Sequence, residues 1–304
     1  MTAFEGIAPS LLARFELLLR QPIIHMDAIH RGYTPALRLR LWLQDGSTVF
    51  IKMATTPLTA DWLRQENSIY TMLDSPCLPR LINWEDGDER QGEYPCLVLE
   101  DLSSAYWPPP WSTRQVDQVL ELLTGLGKLS VPGLPLLGDH VDQYQGWQLV
   151  AAEPAPFLSL QLASRQWLEK ALPILLAIDM HETLQGRALV HGDVRSDNLC
   201  IDRDRVVLID WNGACLGSPT FDLAFWLPSL QIEGGPSPES ILPDAGPLTA
   251  IVSGYFAARA GLPIIPDAPR VREIQLKQLL SALPWTVRAL GLPPLDGHRP
   301  DKLY

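Results

Sequence analysis

His191-Gly192-Asp193-Val194-Arg195-Ser196-Asp197-Asn198 decides how this chain is read, together with Ile209-Asp210-Trp211, whose aspartate lies twelve residues beyond Asn198. The first stretch offers a carboxylate at Asp193 and an amide five residues on, at Asn198. A second carboxylate, Asp210, ends the apolar run Val206-Val207-Leu208-Ile209. An amide oxygen beside a carboxylate suits a hard cation such as magnesium, which takes oxygen ligands and keeps waters and phosphates in its shell. Asp193 is then left to accept a proton from an attacking hydroxyl. One base, two metal-holding groups and a nucleotide are the working parts of phosphoryl transfer.

In the family that these segments resemble, this set is accompanied by a lysine on an early strand that holds the α- and β-phosphates and by a helix glutamate that orients it. Lys52 ends the strand pattern Val49-Phe50-Ile51-Lys52 and is the only lysine in the first 127 residues, in a chain with five lysines and nineteen arginines. An arginine-biased sequence that keeps one lysine on a strand invites a specific reason. A plain surface lysine at a strand end is the alternative reading. Glu66 follows fourteen residues later, inside a helical pattern over residues 59–73 that would let it face Lys52.

These segments resemble the aminoglycoside phosphotransferase and choline kinase-like family of small-molecule kinases, which share the protein-kinase fold. Their loop reads H-G-D-x-x-x-x-N and is followed by a strand ending in D-W or D-F, as residues 191–198 and 209–211 do here. The resemblance covers roughly residues 25–230. It implies Asp193 as base, Asn198 and Asp210 as magnesium ligands, and His191, Gly192 and Asp222 as supports of the loop. Arg195, two residues after Asp193, either stabilises charge near the transferring phosphate or caps the loop. Leu97-Val98-Leu99-Glu100-Asp101-Leu102 looks like the hinge, with the Glu100 carbonyl and the Leu102 amide offered to adenine. The loop over the phosphates would span residues 31–37 with a single glycine, Gly32. After Asp210-Trp211 the family usually has glutamate, whereas this chain has Asn212.

The rest of the pattern fits that frame. Leucines 37, 39, 41 and 43 alternate with Arg38, Arg40 and Trp42, then turn through Gln44-Asp45-Gly46-Ser47 into Thr48-Val49-Phe50-Ile51. This is a hairpin signature. Helical spacing marks residues 10–20, and strand patterns mark 23–29, 80–84 and 95–99. Beyond the proline- and aromatic-rich residues 103–111, helical stripes dominate, around Val116-Leu126, over 167–184 with Pro173 inside, and over 221–230, 248–260 and 271–290. Short strands 199–201 and 206–209 interrupt them. Gly125-Leu126-Gly127-Lys128 reads as a helix terminus. The expected fold is therefore α+β and two-lobed. Residues 1–102 form a nucleotide-binding lobe with a small antiparallel sheet and one main helix, and residues 103–304 form a larger, mostly helical lobe with the catalytic loop and acceptor site.

Composition narrows the alternatives. The chain has 304 residues, 46% hydrophobic and 19% charged, with net charge −11. The acidic excess is even, −5 over residues 1–104 and −6 beyond, with no basic arm. Duplex binding, which releases phosphate counterions against a positive face, is excluded on that balance. Cys77, Cys96, Cys200 and Cys215 have no C-x-x-C spacing, so reduced thiols are expected rather than zinc or a disulfide framework. Met1-Thr2-Ala3-Phe4-Glu5 lacks the basic start of a secretion signal, and no apolar run reaches the roughly 18–20 residues that span a bilayer. The expectation is a cytoplasmic enzyme, monomer or homodimer, free of nucleic acid and membrane. It would move the γ-phosphoryl group of ATP, or alternatively GTP, to a hydroxyl on a small acceptor, with a cationic acceptor as one option. A non-catalytic nucleotide-binding pseudokinase and a protein kinase are the alternatives; the latter is disfavoured by the missing glycine triplet and A-P-E segment.

Overall fold

The computed structural model describes residues 7–30, 35–266 and 268–297. Along the chain run α1 (Pro9–Leu19), β1 (Ile23–Ala28), β2 (Leu37–Leu43), β3 (Thr48–Met53), α2 (Pro57–Met72), β4 (Leu81–Glu85) and β5 (Cys96–Glu100). Next come α3 (Thr113–Leu126), α4 (Gly146–Ala152), α5 (Ala155–Ser159), α6 (Arg165–Leu176), α7 (Met180–Leu184), β6 (Ala188–Val190), β7 (Leu199–Asp202) and β8 (Arg205–Leu208). The chain continues through β9 (Cys215–Gly217), α8 (Phe221–Ile232), α9 (Pro238–Ile241), α10 (Gly246–Ala260) and α11 (Val271–Ala289). The α+β composition expected from the sequence is the one that forms. Among the described residues, no helix is long and apolar enough to cross a membrane.

Two compact units result. One runs to Trp107 and adds Asp197–Ala214; the other holds Pro108–Ser196 and the chain from Cys215 onward. The β7–β8 hairpin groups with the first unit although it lies late in the sequence. Hydrogen bonds make this grouping concrete: the Leu208 amide donates to the Cys77 carbonyl, and Tyr106 and Ile201 exchange backbone bonds at 2.8 and 2.9 Å.

In the first unit the five strands lie in the order β1-β2-β3-β5-β4, antiparallel throughout. Period-2 alternation sorts the two faces. Leu39, Leu41, Leu43, Val49 and Ile51 form one buried face with Phe15 of α1. Arg38 and Lys52, opposite each other in the β2–β3 register, belong to the other face. Helix α2 begins at a capping box, in which the Thr56 side chain accepts from the Thr59 amide at 3.2 Å, with Pro57 in its first turn.

The second unit is built around α10, which packs on α11 and α4 and is buried nearly all round. Pro173 lies inside α6 rather than opening a new helix, and α7 begins at Met180. The α3 helix ends at Gly127, as read from the sequence. Gly146 of α4 sits so close to α10 that a Cβ there would lie 1.9 Å from the Gly254 carbonyl oxygen. Gly146→Ala is therefore expected to push α4 off α10 and cost about 1–3 kcal/mol, the range for overpacking a tight core. A urea midpoint that falls with an unchanged slope would show it; an unshifted midpoint would mean that the two helices have room to yield.

Candidate active site

The chemistry-bearing residues of the first unit gather around Lys52. Its Nζ donates to Glu66 Oε2 and to Asp210 Oδ1, each at 2.6 Å. Glu66 is only 2% exposed, and its other oxygen accepts the Tyr70 hydroxyl at 3.1 Å. Burial alone would depress the Lys52 ammonium, but the two carboxylates outweigh it and hold it above the usual lysine range. The ammonium is thereby fixed in place between the two carboxylates, one from α2 and one from the end of the β7–β8 hairpin.

Tyr70 was not legible as a site residue. Its only sequence signal is its place one helical turn after Glu66 in α2, where (i, i+4) side chains meet. Removing a hydrogen bond to a buried carboxylate costs about 1.5–3 kcal/mol. Tyr70→Phe should therefore lower unfolding free energy by that amount in a denaturant titration, and no loss would show that water replaces the hydroxyl. Arg38 was missed too. It stands across the ladder from Lys52, and Asp210 and Glu66 counter the burial that lowers its guanidinium. The signal was present in the alternation of β2, but arginine is so common in this chain that one more did not stand out.

The β7–β8 hairpin explains how Asn198 and Asp210, twelve residues apart, become neighbours. Leu199 pairs with Leu208, and just outside that pair the Ile209 amide donates to the Asn198 carbonyl at 3.0 Å. Asn198 is 6% exposed. Asp210 adopts φ +68°, a left-handed conformation that aspartate and asparagine tolerate better than other non-glycine residues. It sits where the strand gives way to the short 3-10 turn Trp211–Gly213, which packs against α2.

At the end of β5, the side chain of Glu100 is engaged structurally, accepting from the Arg80 amide at 2.9 Å and from Arg205 at 2.8 Å. The Leu102 carbonyl accepts from the Ala105 amide at 3.0 Å and from the Trp107 indole at 3.2 Å. Gly32 lies outside the described residues. Asn212, in place of the family glutamate, borders a small pocket with Lys52, Thr59, Trp62 and Leu63.

The second unit holds the other half of the motif. Strand β6 ends at Val190, and the loop that follows is gripped by Asp222 in the first turn of α8. Its carboxylate accepts the His191 amide at 2.7 Å and the Gly192 amide at 2.9 Å. Burial pushes the Asp222 carboxyl up, against the pull of His191 and these two amides. Gly192 takes φ +88°, which only glycine adopts without cost. His191 is fully buried, and its Nδ1 accepts the Asp193 amide at 3.2 Å. Asp193 itself is half exposed, with 51% of its side chain open. Arg195 pairs with it, one terminal nitrogen (Nη2) donating to Oδ2 at 3.1 Å and Nε lying 2.9 Å from Oδ1 as an ion-pair contact. The arginine is thus a partner of Asp193 in this structure. A carboxylate that accepts one such hydrogen bond keeps further lone pairs for an incoming hydroxyl.

Comparison with known families makes this chain a phosphotransferase with an alcohol group as acceptor. The chain belongs to the phosphotransferase enzyme family, whose model matches residues 28–284. By sequence, no curated protein matches the chain. Among solved structures, spectinomycin phosphotransferase APH(9)-Ia, in complex with ADP and spectinomycin, is similar in fold. It has a TM-score of 0.61 at 12% identity over 94% of this chain and 99% of the other. Aminoglycoside phosphotransferase APH(2'')-Ib, ADP-bound, gives 0.55 at 12% over 93% and 99%. Macrolide 2'-phosphotransferase MphH from Brachybacterium faecium gives 0.53 at 18% over 94% and 99%.

Proposed function

We propose that this protein is a cytoplasmic kinase that transfers the γ-phosphoryl group of ATP to a hydroxyl of a small molecule, with magnesium as its metal. The observation that carries this reading is the Lys52 cluster, in which residues up to 158 positions apart in sequence are brought within 2.6 Å of one ammonium. That similar solved folds hold ADP supports ATP as donor. GTP fits the same cluster, since the cluster faces phosphates and not the base.

The donor set fits magnesium by chemistry. Asp210 supplies a carboxylate and Asn198 an amide. That sparse set suits a hard cation that takes its other ligands from phosphates and water. When bound, the metal neutralises charge on the β- and γ-phosphates. Lys52 holds the α- and β-phosphates, oriented by Glu66, and Arg38 adds a second cation on the same sheet face. The Leu102 amide and the Glu100 carbonyl take the adenine edge. The acceptor hydroxyl bonds to the γ-phosphorus as the bond to the ADP oxygen breaks, and its proton passes to the Asp193 carboxylate and on to solvent. Arg195, already on Asp193, shares its charge with the transferring phosphate.

The test is ATP consumption by the purified protein against a panel of aminoglycosides, macrolides, amino alcohols and sugars. Turnover with one class identifies the acceptor. Tight nucleotide binding with no turnover on any class would overturn the reading in favour of a non-catalytic nucleotide-binding protein.

A further inference from the structure

The loop that carries Asp193 is held at a second point that the family motif does not name. Ser196, three residues after Asp193, donates its hydroxyl to Glu233 Oε1 at 2.6 Å. The other oxygen, Oε2, accepts the Trp111 indole N–H at 2.7 Å. Trp111 in turn meets Trp226 edge to face, with centroids 5.6 Å apart and planes at 70°, and Trp226 is fully buried in α8. Glu233 is the residue on which α8 ends, and its own amide bonds back to the Ser229 and Leu230 carbonyls. Its backbone is fixed by the helix and its side chain by two donors.

Asp222, in the first turn of the same helix, grips the loop at His191 and Gly192. A helix of 12 residues is about 18 Å long, and the chain from Gly192 to Ser196 spans at most about 14 Å. The two carboxylates, one at each end of α8, therefore reach the two ends of one short loop, with Asp193 between them.

We infer that α8 acts as a splint for this loop, and that Glu233 is a positioning residue fixing its distal end through Ser196 with Trp111 as its anchor. The inference rests on the proposed kinase reading for its consequence on rate, but not for its consequence on loop order. A misplacement of about 1 Å far from the reacting atoms can cost on the order of 10²-fold in rate. Glu233→Ala is thus expected to lower kcat by about 10–10²-fold, while KM for ATP stays within about twofold because the Lys52 cluster is untouched. Glu233→Gln should recover most of that loss. Its amide oxygen can accept from Trp111, and its NH₂ can donate to Ser196, whose hydroxyl both gives and takes hydrogen bonds. Ser196→Ala should repeat the Glu233→Ala loss, and the double variant should be no worse than either single one.

The experiment measures steady-state hydrolysis of magnesium ATP with water as acceptor, alongside amide hydrogen exchange across residues 191–198, in the full chain. Faster exchange in the loop of Glu233→Ala, with α10 and α11 protected as in the parent, is the expected result. Unchanged loop exchange in a folded variant overturns the inference. So does a rise in KM without loss of kcat, or equal losses in the alanine and glutamine variants, because either would make the charge of Glu233 the active feature. A parent protein that turns over no ATP, with water or any acceptor, sinks the kinase reading alone; loop exchange still decides the splint.

Discussion

Asp193→Asn is expected to slow phosphoryl transfer by about 10²–10⁴-fold, the usual worth of a positioned general base, while nucleotide binding stays within a few-fold of the parent. The substitution keeps shape and removes charge. The loop grips that hold residue 193 come from backbone amides bonded to Asp222 and from the His191 ring, and none of them uses the Asp193 side chain. The nucleotide-side groups Lys52, Glu66 and Asp210 bond to one another without it. Arg195 loses one of its two carboxylate contacts, so a local rearrangement of that guanidinium accompanies the change. Single-turnover transfer and nucleotide affinity, measured on one preparation with an acceptor found in the panel, separate the outcomes. Preserved transfer with collapsed binding would show that Asp193 is a structural or metal-holding group.

Replacing Asp210 is expected to be at least as severe, with transfer falling by about 10³-fold or more. The loss corresponds to the several kcal/mol of charge stabilisation that a correctly held metal provides at the transferring phosphate. The structure makes asparagine a cleaner probe than alanine here. At φ +68° asparagine keeps the backbone where it is, whereas alanine adds strain unrelated to the lost carboxylate. Asp210→Asn also removes one of the two anions on Lys52, leaving Glu66 as its partner. Nucleotide affinity should consequently lose its dependence on magnesium, an outcome that titration calorimetry with and without the metal reads directly. Unaltered turnover in this variant would remove both Asn198 and Asp210 from the proposed mechanism.

How much of this was legible in the sequence depended on distance along the chain. The β2–β3 hairpin was readable because alternation and turn residues are local, and its register alone puts Arg38 opposite Lys52. Residues 191–198 and Asp210 were readable because their chemistry is unusual for a loop of that length. The partnership of Lys52 with Glu66 could be anticipated from a strand followed by a helix, whereas its bond to Asp210 spans 158 residues, beyond any local pattern. Strands β6 and β9 escaped notice for another reason. Each has three residues, too few to show a period, and they exist because Val190 and Cys215 pair across a sequence gap.

By itself, then, the sequence determined the α+β character, the hairpin, the principal helices and which residues stand as candidates to hold phosphate, metal and proton. These follow from side-chain chemistry and from periods of 2 and 3.6 residues, which each segment carries within itself. Only the tertiary structure decided that the β7–β8 hairpin groups with the first unit, that Tyr70 closes the Lys52–Glu66 cluster, and that Glu233 and Asp222 hold one loop from the two ends of α8. Those are partnerships between distant segments. A buried carboxylate must find a donor, and which donor it finds depends on how the elements pack and not on its neighbours in the chain.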